Sequence, residues 1–82
     1  MNNYTIAEFY IRNEYRNATE KYPKMVSAHE GYAILKEELD ELWDEIKKKN
    51  ADHNLDLMRK EAIQVAAMAI RFIIDVCDKE VI

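Results

Sequence analysis

"AIQVAAMAIRFIIDVC", residues 62 to 77, decides the fold: only Gln64, Arg71 and Asp75 break a run of sixteen otherwise apolar positions. The run is too short for a membrane span and carries two charges, so it belongs inside a protein. A helix apolar on nearly every side is central to its assembly. The chain has 82 residues and leaves room for only two further helices to cover this one. The expectation is an all-α chain of three helices. A second copy completes it into a four-helix-type bundle, as a homo-dimer or homo-tetramer.

Outward from that run, the third helix is expected from about Leu55 to Asp78. "ADHN" (51–54) is the connection before it, and Asp52 or Asn54 can cap it. Upstream, "SAHE" places Ser27 and Glu30 as a capping box for a second helix, ending near Lys49 or Asn50. Leu35, Leu39, Leu42 and Ile46 form its apolar stripe, flanked by Tyr32 and Trp43. "TIAE" makes Thr5 and Glu8 the box of a first helix, with Tyr4 and Phe9 as a hydrophobic staple. Pro23 ends that helix near Glu20 or Tyr22. One Gly and one Pro among abundant helix formers fit this layout.

Composition narrows the function. Residues 1–82 read as one small domain, which buries little core by itself. A net charge of −4 lacks the basic footprint of a nucleic-acid binder. No nucleic-acid or membrane partner is expected. Cys77 is the lone cysteine, and "MNNYTIAEF" shows no signal peptide; both fit a cytoplasmic protein.

The second helix crowds Glu37, Glu38, Asp40, Glu41, Asp44 and Glu45 together. Lys36 can pair with Asp40, Lys48 with Asp44 and Lys49 with Glu45 at four-residue spacing. Glu38 and Glu41 have no such cation. On the third helix Glu61 also lacks one, and its polar stripe continues through Gln64 to Arg71 and Asp75. At 100° per residue, Glu38, Glu41 and Glu45 fall on one flank of the Leu/Ile stripe. Two Glu at i, i+3 facing an acid from another helix is how helical bundles hold divalent metals. Oxygen ligands without a His or Cys cluster favour Mg²⁺, with Mn²⁺ possible, over Zn²⁺. A solvated acidic face is the competing reading.

"EELDE" (37–41) followed by "KEAIQVAAMAI" (60–70) resembles the MazG-like all-α nucleoside triphosphate pyrophosphohydrolases. The likeness spans about Ser27 to Val76 and is strongest to the short MazG-like proteins of phages and low-GC bacteria. That family's pattern is E-E-x-x-E on one helix and E-x-x-D on the next. The resemblance implies that Glu38, Glu41 and Glu61 are catalytic metal ligands. Gln64 stands where the family has Asp, so a neutral amide replaces an anionic ligand. It further implies Mg²⁺-dependent hydrolysis of a nucleoside triphosphate at the α-phosphorus, releasing pyrophosphate, in nucleotide-pool housecleaning. The alternative is a catalytically weakened bundle of the same fold that binds a nucleotide or a protein.

Arg71 is a candidate for a substrate phosphate, or else pairs with Asp75 at i, i+4. Trp43 can stack on a base, or belong to the core. Glu45 or Asp75 can supply the charge that Gln64 lacks. His29 and His53 read as surface residues and Cys77 as a buried small hydrophobe. Gly31, costly inside a helix, suggests a close helix contact.

Overall fold

The computed structural model describes residues 2–78, and its regular elements are helical throughout: α1 (Asn3–Lys21), α2 (Ala28–Ile46) and α3 (Leu55–Phe72). The expected all-α chain of three helices is observed; the bounds of the 1–82 domain lie outside the described residues. A 3-10 turn (Asn50–Asp52) precedes α3, and a π-helical turn (Ile73–Cys77) continues it. Among the described residues no helix is long and apolar enough to cross a membrane.

Each helix start has a local cause. The Asn2 side chain caps α1, accepting from the Thr5 N–H at 2.8 Å. Thr5 is therefore inside the helix rather than its cap, because Asn is at least as strong a cap and adds most of a turn. Glu8 turns to Arg12 instead, at 3.4 Å. The staple does not form: Tyr4 is three-quarters exposed, and Phe9 lies edge-on to Tyr10 at 5.6 Å. Ser27 caps α2 as the sequence indicates, accepting from the Glu30 N–H at 3.1 Å. Glu30 reaches back one residue further than the box requires, to the Val26 N–H at 3.3 Å. Helix α2 closes at Ile46, short of the expected lysines, and a His53 ring nitrogen lies 2.9 Å from the Ile46 carbonyl. Asn54 caps α3, accepting from Asp56 and Leu57.

Helix α3 lies between the other two: α1 and α2 each pack on it and make no substantial contact with one another. The buried apolar residues are few: Ala18 of α1, Met25 of the linker, and Ala67 and Met68 of α3. Tyr15, Ile34, Leu35, Phe72 and Val76 pack around them. This core sits where the C-terminal half of α3 meets the α1–α2 linker.

The polar stripe of α3 ties that linker down. Arg71 is only 4% exposed, and its Nη2 donates to the Pro23 carbonyl at 2.6 Å. Asp75, one turn on, accepts from the Met25 N–H at 3.0 Å. Among the described residues there is no Arg71–Asp75 ion pair: each side chain goes to linker backbone that the fold would otherwise leave without partners.

Gly31 is buried where α2 meets α3. A Cβ there would lie 2.5 Å from Phe72 Cδ2, 2.8 Å from its Cε2 and 3.2 Å from Met25 Sδ. The missing side chain therefore lets Phe72 lie directly on the α2 backbone. Gly31→Ala gains about 1 kcal/mol of helix propensity but forces the ring aside, at about 1–3 kcal/mol. We expect a net loss of stability in thermal unfolding, reversed in sign when Phe72→Leu removes the ring first.

Candidate functional site

The buried and half-buried positions of α2 are Gly31, Ile34, Leu35, Glu38, Leu42 and Glu45. They recur every three or four residues and mark the seam against α3. Of the three acids expected on the flank of the stripe, Glu38 and Glu45 are seam residues themselves, while Glu41 is exposed beside the seam. The Leu/Ile stripe divides instead. Leu35 and Leu42 face inward, while Leu39 and Ile46 are exposed. The close Gly31–Phe72 contact sets this rotation by bringing the Gly31 face of α2 onto α3.

Helix α3 presents Glu61 and Gln64 to the same place. One carboxylate oxygen from each of Glu38, Glu41 and Glu61 lies within 4.8 Å of the others. Oxygens bound at about 2.1 Å on an octahedron are roughly 3 to 4 Å apart, so the spread is slightly wider than such a shell. Among the described residues none of these three acids makes an ion pair. The Gln64 amide lies against the same acids; assigned with its nitrogen inward, the orientation that two carboxylate acceptors require, it donates to Glu38 Oε2 at 2.9 Å and to Glu61 Oε2 at 3.1 Å.

The crowding shows in the proton affinities. Glu38 is raised to about 7, first by burial, then by the Glu41 charge and a hydrogen bond with Glu41, then by Glu61 and Glu37. Glu61 is raised too, by burial first and then by Glu41, with the nearby Lys60 opposing.

The neighbouring acids are neutralised locally. Lys36 pairs with Asp40 at 2.9 Å, as the spacing indicates. Asp44 takes Lys47 at 3.0 Å and Glu45 takes Lys48 at 2.9 Å, each three residues on rather than four. Because α2 stops at Ile46, its lysines leave the helical register and fold back one residue sooner.

The remaining candidates lie in different places. Glu45 is close enough to Glu61 to raise its proton affinity, so it borders the cluster. Trp43 is 57% exposed, in neither the core nor the seam. Arg71 and Asp75 are committed to the linker, about ten residues or more along α3 from Glu61. His29 is exposed, His53 is half-buried under the end of α2, and Cys77 is exposed rather than buried.

A groove of about 780 Å³ between α1 and α3 reaches the cluster at Gln64; Asn13 and Asn17 of α1 and Arg59 and Lys60 of α3 line it. The sequence does not single these residues out. The i, i+4 spacing of the two Asn on α1 is the available signal, but it says nothing of which helix they face. No family model, characterised protein or solved structure matches this chain.

A carboxyl raised in the folded state binds a proton that the unfolded chain releases near 4.5. Its contribution is therefore present below about 4.5 and is lost as pH rises through about 7. We expect the thermal midpoint in EDTA to fall between pH 5 and pH 8 in the wild type. The decline should be shallower in Glu38→Gln, which keeps the shape and removes the titration.

Proposed function

We propose that the protein is a Mg²⁺-dependent nucleoside triphosphate pyrophosphohydrolase acting on the nucleotide pool. One observation carries the reading: three carboxylates from two helices converge where α2 meets α3, Glu38 and Glu61 half-buried and Glu41 exposed, and among the described residues no cation pairs with them. A solvated acidic face would spread such groups into water. A seam that gathers them is costly unless a positive group joins them. The resemblance of "EELDE" and "KEAIQ" to the MazG-like motif supports the same three residues.

Glu38, Glu41 and Glu61 would hold the ion, with the Gln64 amide beside them and Glu45 at the margin. A divalent cation there supplies charge neutralisation for a polyphosphate, which is most of what phosphoryl chemistry asks of a protein. The α1–α3 groove offers the substrate the Lys60 cation and the Asn13 and Asn17 amides; its Arg59 is paired with Asp56 at 2.9 Å, and Glu14 also lines it. Trp43 is free to stack on a base, and Arg71 acts indirectly by fixing the linker.

One observation favours the second reading, a weakened bundle that binds nucleotide or protein. The inward amide nitrogen already gives two of the acids a donor, so the site has a partner without any ion.

The reading includes a homo-oligomer, dimeric or tetrameric, in which a second copy completes a four-helix bundle. Among the described residues fourteen large apolar or aromatic side chains are exposed, including Leu39, Trp43, Ile73 and Ile74, against four buried apolar residues. The body is flattened, 53 × 32 × 19 Å. Its radius of gyration is 14.2 Å, where a compact chain of this length needs about 12 Å. Light scattering at micromolar concentration should give a mass of at least two chains; a stable folded monomer contradicts this.

The decisive assay is pyrophosphate release from a panel of ordinary and modified nucleoside triphosphates with Mg²⁺, Mn²⁺ or EDTA. We expect metal-dependent release. Glu41→Gln should weaken metal binding and abolish release, yet raise metal-free stability by about 0.5–1 kcal/mol through relief of repulsion. Gln64→Asp should do the reverse on all counts. Silence of both variants in binding and turnover contradicts the enzymatic reading.

A further inference from the structure

We propose that the outer edge of α2 and the open side of α3 form one apolar face, and that this face packs on the same face of a second copy of the chain. This rests on the homo-oligomer reading above and names its surface; it depends on neither a cation nor catalysis.

Tyr32, Leu39, Trp43 and Ile46 of α2 are all exposed. Spacings of seven, four and three place them within an arc of about 60°. The arc begins about 80° round the helix from the seam residue Glu38, and Glu41 lies about 60° the other way. The stripe is therefore on the edge of the seam away from the acids.

Helix α3 is open on the same side. Its Ala62 and Ile73 are exposed, with Ala66 and Ala69 half-buried between them, at spacings of four, three and four. This line is on the far side of α3 from Ala67 and Arg71, which meet the Ala18 end of α1 and the linker after it. The close Gly31–Phe72 contact joins the start of α2 to the end of α3, so the two helices run antiparallel. The α2 stripe and the α3 line then share one side of the pair. One is bulky and the other small, so each copy's α2 stripe fits over the other's α3 in a two-fold contact. Helix α3 is thereby covered on its third side.

Three observations make the occupant a second copy. Four buried apolar residues are little core for one chain, so the partner has to be present whenever the chain folds, and another copy always is. A compact monomer of 9.7 kDa exposes about 5,100 Å². This chain exposes 6503 Å², an excess of about 1,400 Å², where a standard interface takes about 800 Å² from each partner. The charges that border the stripe are already paired within the chain, Lys36 with Asp40 and Lys47 with Asp44, so two acidic copies meet there without an unmatched charge. Trp43, which the single chain leaves free, packs on this partner rather than on a base.

Trp43 is the only tryptophan, so the unmodified protein reports on the face. At micromolar concentration we expect an oligomer by light scattering, with blue-shifted Trp43 emission and acrylamide quenching several-fold weaker than that of free indole. Leu39→Lys should halve the mass, whereas Phe9→Lys on α1 should leave it unchanged. An oligomer whose Trp43 is quenched as freely as indole, or that keeps its mass in Leu39→Lys, overturns this face and leaves the oligomer standing. A folded monomer with an exposed Trp43 overturns both and leaves the face to a different protein. If Leu39→Lys does not fold at any concentration, the quenching of the wild type decides alone.

Discussion

The structure depends on a polar layer placed where a helix pair normally puts apolar side chains. Along the α2–α3 seam, Gly31 lies close under Phe72, and the half-buried Ile34 and Leu35 pack against the core that holds Ala67 and Met68. One turn further, the same seam carries Glu38 against Glu61 and Gln64, with the exposed Glu41 at its edge. A seam can hold such a layer only if something offsets the repulsion. In this chain an amide nitrogen, a raised proton affinity at Glu38 and ion pairs on the surrounding acids share that task. Each offsets part of the charge, and none removes it as a divalent ion would.

The rest of the fold serves that arrangement. The close approach of Phe72 to Gly31 fixes the rotation of α2, and so decides which of its acids face α3. Arg71 and Asp75 hold the α1–α2 linker by its backbone, which sets where α2 begins. The polar stripe of α3 thus has two jobs on one face. Its first half meets the carboxylates, and its second half anchors the chain that delivers them.

Much of this was legible in the sequence. Local signals with a single competitor read correctly: Ser27 and Asn54 as caps, Pro23 as a stop, Lys36–Asp40 as a pair, Gly31 as a close contact. The three converging acids were singled out too, since each lacks a cation three or four residues away on its own helix. What failed did so for identifiable reasons. Asn2 outcompeted Thr5 as a cap because several good caps stood within one turn. The lysine pairings slipped by one because they depend on where the helix ends. The Leu39 and Ile46 stripe was assigned inward because periodicity gives a face but not its partner. The roles of Arg71 and Asp75 were hidden because their partners are backbone atoms some fifty residues away, which no spacing encodes. The direction of the Gln64 amide depends on two carboxylates from different helices and has no local signature.

The central claim is that the acids at this seam are a divalent-cation site. A crystal grown with Mn²⁺ and a non-hydrolysable nucleoside triphosphate, with its anomalous scattering mapped, tests it most directly. The expected result is a peak about 2 Å from oxygens of Glu38, Glu41 and Glu61. A map with full-occupancy manganese elsewhere, or none, would contradict the account.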